Sequence, residues 1–324
     1  MSPPKNSSIR GATINDTSDS LSAKAATTDR SLDLWPIGNC QASALIDRAG
    51  RMIWACVPRV DGDPLFSALL DDKDWDKAKG YWAIDLENCV EITQRYIRNT
   101  PILVTRQTDA QGNAIEVYDF CPRHRRKGRI YRPVAFARIA RPVAGSPRVR
   151  VRLRPTTAWN AEEVPITYGS NHIRLVLTHM AMRLSTDAPI GLIAQESWFR
   201  LEHDLHFFLG PDESFSDALR PEIERMLDDT IMEWQLWVRG LAIPAEWQEA
   251  VIRAAITLKL CQHEETGAIV AALTTSIPEH ADSGRNWDYR YCWVRDAYYT
   301  VEALNRLGAL DVLETYLLYL RNIV

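Results

Sequence analysis

Arg285-Asn286-Trp287-Asp288-Tyr289-Arg290-Tyr291-Cys292-Trp293-Val294-Arg295-Asp296 places four aromatic rings, three arginines and two aspartates in twelve consecutive positions. Rings beside paired charges make poor core, because each buried charge has to be matched. The same mixture suits a sugar. A flat ring stacks on the apolar face of a pyranose, while Arg and Asp hydrogen-bond its hydroxyls. Arg offers a rigid fork of donors and Asp a set of acceptors, which together match vicinal hydroxyl groups.

Outward from this run the chain is helical on both sides. The spacing predicts a helix from about Arg295 to Leu307, stopped by Gly308, and another starting near Asp311. Upstream, Ala245 to Gln262 forms an amphipathic pattern with Trp247, Val251, Ala254, Ala255 and Leu258 on one face. Asp217 to Arg239 has Leu219, Ile223, Met226, Leu227, Trp234 and Trp237 at helical spacing, with Gly240 at the cap and Pro244 beyond.

Before about residue 213 the period changes to two. Ala44–Asp47 and Met52–Val57 flank Arg48-Ala49-Gly50-Arg51, a hairpin signal, and Ile115–Phe120 and Val149–Arg154 alternate. Thr167–Leu177, Met180–Leu184 and Ser197–Leu209 give further strands. Many short strands punctuated by Gly, Pro and Asp predict an antiparallel sandwich. The first thirty residues, rich in Ser, Thr, Asn and Asp without an apolar stretch, predict a disordered tail and not a secretory signal. The expected organisation is a tail over 1–30, a β-sandwich over 31–213, a helical linker over 214–244, and the start of an all-helical domain over 245–324.

Composition narrows the class. The chain has 324 residues, 46% hydrophobic and 25% charged, as in a soluble globular protein of about two domains. A net charge of -4 gives no general attraction to nucleic acid or anionic membrane, and no segment approaches the roughly 18 apolar residues of a membrane span. Cysteines 40, 56, 89, 121, 261 and 292 form no CxxC pair, which argues against zinc or thioredoxin chemistry and for free thiols in a reducing cytoplasm. There is neither a Gly-rich phosphate loop nor a GxSxG elbow, and no cofactor is implied.

Weaker signals receive plain readings. His203 and His206, with Glu202 and Asp204, look metal-like, yet strand positions three apart point to opposite faces. The basic run His124-Arg125-Arg126-Lys127-Gly128-Arg129 and the alternating Arg148, Arg150, Arg152 and Arg154 are expected to be a solvated strand surface, not a nucleic-acid site. Glu264, Glu265, Glu279, Asp282 and Asp288 read as surface-loop or locally paired carboxylates, with His263-Glu264 the exposed end of a helix. Cys292 reads as a small buried residue beneath the sugar-binding run.

The run from Asn286 to Asp296 resembles the first substrate-binding motif of glycoside hydrolase family 15, the glucoamylases and their bacterial trehalase-like relatives. Trp35-Pro36-Ile37-Gly38-Asn39-Cys40 and Trp54-Ala55-Cys56-Val57-Pro58-Arg59-Val60-Asp61 are similar to the opening strands of the bacterial members. Gly267 to Glu279 resembles the loop before the substrate motif. The resemblance implies an N-terminal β-sandwich, a linker helix and an (α/α)6 barrel, here only begun. It also implies that Tyr289 and Trp293 line a subsite, and that Arg295 and Asp296 bind hydroxyls of a non-reducing-end glucose. The alternative for the last two is an Arg295–Asp296 ion pair at a helix N-terminus, favourable on dipole grounds.

The implied activity is inverting hydrolysis of an α-glucoside, a malto-oligosaccharide or trehalose, by two carboxylic groups. In the family both are glutamates downstream of the Arg-Asp pair, so acid and base are expected beyond Val324, and the chain is expected to be truncated. A partial barrel is expected to expose apolar helix faces. Two rivals stay open at this point: a non-catalytic remnant with part of a sugar subsite, and a glycoside phosphorylase.

Overall fold

A computed structural model describes residues 31–274 and 283–323, so the predicted tail over 1–30 and residues 275–282 of the loop before the sugar-binding run lie outside the described residues. Period-two segments upstream form two antiparallel sheets. The first runs Trp35–Gly38, Ser43–Ile46, Met52–Val57, Tyr81–Leu86, Arg148–Arg154, Phe199–Arg200, with Asp63–Phe66 also paired to Met52–Val57. The second runs Ile166–Tyr168, His172–Val176, Ala181–Thr186, Leu205–Pro211, Phe136–Ala144, Ala114–Phe120, Leu103–Asp109, Cys89–Tyr96. Their facing side chains share one core, including Ile46, Trp82, Val149 and Val151 from the first sheet and Ile115, Phe136, Leu184 and Phe207 from the second. Apolar residues fill this layer because alternation directs every second side chain inward.

A charge pair bolts the sheets together inside this core. Arg138 and Asp119 are fully buried and meet at 2.6 Å. Arg138 of the second sheet also donates to the carbonyls of Trp82, in the first sheet, and Gly50, in its hairpin turn. Each guanidinium nitrogen and both carboxylate oxygens thereby have a partner, the condition under which such a pair can be tolerated in a core.

Two predicted strands are broken. Thr167–Leu177 is a hairpin, Ile166–Tyr168 against His172–Val176, because Gly169-Ser170-Asn171 turns the chain. Ser197–Leu209 is split: Phe199–Arg200 pairs in the first sheet and Leu205–Pro211 in the second, so the chain crosses between layers at residues 201–204. The arginines of strand Arg148–Arg154 are only partly a solvated face. Arg148 is exposed and bound to Glu87, Arg150 lies half-buried over Trp198 and Arg154 half-buried against Glu196, while Arg152 is buried and bound to Asp85.

Helix α1 (Ile190–Ala194) is short. Helix α2 (Leu219–Arg239) follows the sheets and lays Ile223, Met226 and Leu227 on the outer face of the second one, against Ile102, Ala137 and Phe208. His206 pins α2. Its Nδ1 is 2.8 Å from Asp187 and its Nε2 2.9 Å from Glu224 of α2. Carboxylates only accept, so both ring nitrogens donate and His206 is an imidazolium. Burial opposes that charge, but the bonds to Asp187 and Glu224 outweigh it and raise the pKa.

Helices α3 (Gln248–Leu260), α4 (Val294–Arg306) and α5 (Leu310–Ile323) share a second core of Ala255, Ile269, Val301, Leu304, Val312 and Tyr316. Gly267 passes so close to α5 that a Cβ there would lie 2.2 Å from the Thr315 carbonyl oxygen. The buried face of α3 differs from the predicted one: Ala255, Ile256, Lys259 and Leu260 point inward, Trp247 is 72% exposed and Ala254 is exposed. The face is rotated because a lysine, Lys259, is buried against a charged partner. Tyr298, Tyr299, Leu317 and Leu318 of α4 and α5 are exposed, in line with the expected apolar helix faces.

That partner is Glu264, which sits at the junction of sheets and helices and is not the exposed helix end anticipated above. Arg123 grips it with two bonds of 2.8 and 2.9 Å; Arg132 approaches at 3.1 Å and Lys259 at 2.9 Å. The turn Asn39–Ala42 completes the joint: Arg123 donates to the Asn39 carbonyl, and the Glu264 amide donates to the Cys40 carbonyl. Burial works to raise the Glu264 pKa, but Lys259 and Arg123 hold it down at about 2.

Stability is therefore expected to fall at both ends of the pH scale. The folded Glu264 pKa is below its usual 4.5, so its contribution is complete above that value and is lost as pH falls toward 2. The His206 pKa is raised, so its contribution is complete below the usual 6.5 and is lost as pH climbs through the raised value. Glu264→Gln should cost about 3–5 kcal/mol, the price of leaving buried cations unmatched, and flatten the acid limb. Urea unfolding between pH 2 and 9 checks both limbs; an unaltered acid limb in Glu264→Gln contradicts the assignment.

Candidate sugar-binding site

The aromatic run lies between α3 and α4, with a turn at Tyr289–Arg290 and a helix from Val294. Its backbone is tied to residues 271–272, with the Ala271 and Ala272 amides donating to the Tyr291 and Tyr289 carbonyls. Four charges of the run, Asp288, Arg290, Arg295 and Asp296, form two pairs. Arg290 is buried and chelates Asp288 through Nε at 3.1 Å and Nη2 at 2.8 Å. Burial pushes the Asp288 pKa up, but the hydrogen bonds from Arg290 lower it on balance. The expected local pairing of Asp288 is what the structure contains.

Arg290 also anchors the run to the sandwich. Its Nη1 donates to the Gly62 carbonyl at 2.8 Å and lies 3.7 Å from the Cys56 sulfur. Burial pushes the Cys56 thiol up to about 12, so it faces the guanidinium as a neutral acceptor. Gly62 has no room for a side chain, since a Cβ there would lie 2.5 Å from the Val57 carbonyl oxygen. On the other side, the Arg290 guanidinium is 4.5 Å from the ring centre of Trp159, a cation–π contact.

The second group faces outward. Trp293 Nε1 donates to the Asp288 carbonyl at 2.8 Å, which fixes the indole. Its ring centre is 6.3 Å from that of Tyr289 and 6.2 Å from that of Trp287. The Arg295 guanidinium lies 5.9 Å from the Trp293 ring and 3.2 Å from Asp296, with 68% of the Arg295 side chain exposed. Tyr289, Trp293, Arg295 and Asp296 thus form one connected cluster, with donors, acceptors and rings available to a ligand. The Arg295–Asp296 pair in the first turn of α4, the alternative reading of these two residues, is present in this geometry.

Cys292 is half-buried and packs on the second core, beneath the run as expected. His203 and His206 do not converge: only His206 lies on a strand, and it is committed to Asp187 and Glu224. Among the described residues, no group of three or more His, Cys, Asp or Glu is placed to hold a metal ion, and no helix is long and apolar enough to cross a membrane. The structural roles of Arg290, Gly62 and Trp159 were not found from sequence. The only signal for Arg290 is its Asp-X-Arg spacing from Asp288.

Comparison with known proteins adds an independent line. Residues 22–197 match the family description "Trehalase-like, N-terminal", and residues 246–323 match "Glycosyl hydrolases family 15". A trehalase of Thermoplasma volcanium is 27% identical over 290 residues, covering 84% of this chain and 44% of the relative. A trehalase of Mycolicibacterium smegmatis is 28% identical over 301 residues, and one of Mycobacterium tuberculosis 27% over 306, with 84% of this chain covered in each and 44% and 43% of the relatives. The chain spans a little under half the length of these relatives. With the trehalase-like N-terminal match extending over more than half of its residues and the sugar-binding run inside the second match, the chain belongs to glycosyl hydrolase family 15, on its trehalase-like side.

Proposed function

We propose that this chain serves the hydrolysis of trehalose, and that Tyr289, Trp293, Arg295 and Asp296 hold the glucosyl unit at the non-reducing end. The observation that carries this reading is the ring–guanidinium–carboxylate cluster, with Arg295 exposed and Tyr289, Trp293 and Asp296 half-buried, on a run whose Asp288 and Arg290 are paired with each other. A site that hydrogen-bonds hydroxyls rejects ligands lacking them, and the buried Asp288–Arg290 pair fixes the cluster beside it. The trehalase names of three relatives favour trehalose over malto-oligosaccharides. In this reading residues 31–213 form the sandwich domain, 214–244 the linker, and α3 to α5 the first helices of an (α/α)6 barrel.

The chemistry proposed is inverting. A general acid protonates the leaving oxygen, while a base roughly 6.5–9.5 Å away activates water. The acid needs a raised pKa. Glu264, held at about 2, and Asp288, lowered by Arg290, stay ionised and do not meet that need. The acid is therefore assigned to another carboxylate; both groups are also engaged by arginines, Glu264 by Arg123 and Asp288 by Arg290, so the base is assigned elsewhere too, and the four named residues bind and orient.

Calorimetric titration of the chain with trehalose and with maltose tests the reading. Trehalose is expected to bind. Arg295→Ala and Asp296→Asn should each weaken it by about 10- to 100-fold, as the loss of a hydrogen bond to a charged group implies, without a change in melting temperature. Absence of binding to either sugar contradicts the reading, and a preference for maltose overturns the choice of trehalose.

A further inference from the structure

Between strands Arg148–Arg154 and Ile166–Tyr168, Thr156–Thr157 pairs with Glu162–Glu163 in a small hairpin whose turn has an unusual backbone. Ala158, Trp159 and Asn160 are consecutive non-glycine residues at φ of 51°, 56° and 71°. Left-handed backbone is costly at such residues, most of all at a bulky one, and persists only where the surroundings over-determine it. Here Asp63 does so. Its carboxylate accepts from the Thr157 hydroxyl at 2.6 Å, the Ala158 amide at 2.7 Å and the Trp159 amide at 3.1 Å.

The conformation does not serve core burial, because Trp159 is 48% exposed. One ring neighbour is Trp54, at 6.2 Å between centres, and the other contact is the Arg290 guanidinium, at 4.5 Å. Arg290 is 4% exposed, and Trp159, the Gly62 carbonyl and Cys56 each touch it from the sandwich. Arg290 in turn holds Asp288, whose carbonyl receives the Trp293 indole N–H. An unbroken chain of contacts therefore leads from Asp63, through Trp159, Arg290 and Asp288, to a ring of the sugar-binding cluster.

We propose that the Trp159 turn of the sandwich is a positioning element for the sugar-binding run: it clamps Arg290 against Asp288 and so fixes the Trp293 ring in the orientation that receives a glucosyl unit. The last clause rests on the reading of the cluster given under Proposed function; the clamp itself does not. Trp159 is a positioning residue, since it acts through Arg290. The sandwich then contributes to sugar recognition as well as to the stability of the helices.

The test compares wild type with Trp159→Leu, Trp159→Tyr and Asp63→Ala in two measurements. Amide hydrogen exchange of residues 286–293 reports the clamp without any ligand. Trehalose titration reports its consequence. Trp159→Leu should speed exchange in this run about tenfold while leaving that of strand Phe136–Ala144 unchanged, and weaken trehalose about five- to tenfold, the scale of a lost cation–π contact. Trp159→Tyr, which keeps a ring, should restore most of both. Asp63→Ala should behave like Trp159→Leu and serves if that variant does not fold. Unchanged exchange of residues 286–293 in Trp159→Leu and Asp63→Ala overturns the proposal, as does a tyrosine variant no better than leucine. If wild type binds no trehalose, the sugar reading fails and the exchange data alone decide the clamp.

Discussion

Glu264 collects Arg123, Arg132 and Lys259 around one carboxylate, and the relation of sheets to helices depends on that cluster. Arg123 comes from the sandwich and stacks near Trp234 of α2, while its amide donates to Thr230 of the same helix. Lys259 comes from α3 and also reaches Gln262 and Asp311 of α5. Removing the carboxylate would strand several cations in a region largely shielded from water, where a like-charge cluster is poorly tolerated. The anchor is electrostatic, but apolar neighbours such as Cys40, Trp234, Ile256 and Leu260 shield it and keep it directional.

A second and smaller anchor, Arg290, repeats this logic at the site. In the aromatic run, Asp288 and Arg290 are paired and hold the run against the sandwich, while Arg295 is exposed and Asp296 half-buried. The division explains how a sequence so dense in rings and charges can fold and still leave charged groups at the surface. Buried charges satisfy each other, and the exposed ones keep unspent donors and acceptors. It also explains why the sandwich is more than a neighbour: Gly62, Cys56 and Trp159 reach the run from its edge.

Local periodicity made much of this legible. The hairpin around Arg48–Arg51, the strands about Ile115 and Val149, and α2, α4 and α5 follow from side-chain spacing alone, since one inward face decides each of them. Failures occurred where a distant partner overrode local pattern. Lys259 rotates the buried face of α3 because Glu264 awaits it, and Arg152 is buried because Asp85 matches it across the sheet. Glu264 looked like a surface residue because its arginine partners are 141 and 132 positions away in the chain. The cluster of Tyr289, Trp293, Arg295 and Asp296 was visible because it is local; Trp159 was not, because only the tertiary fold brings it to Arg290.

The central claim is that the sandwich presents a rigid sugar-binding cluster at the start of α4. A crystal structure of the chain soaked with trehalose tests it most directly. The account predicts a glucosyl ring stacked on Trp293 or Tyr289, with its hydroxyls bonded to Arg295 and Asp296, and with Arg290 still closed on Asp288. Trehalose seated elsewhere, for example in the cleft beside Arg132, Lys259 and Thr315, with the cluster empty, would contradict it.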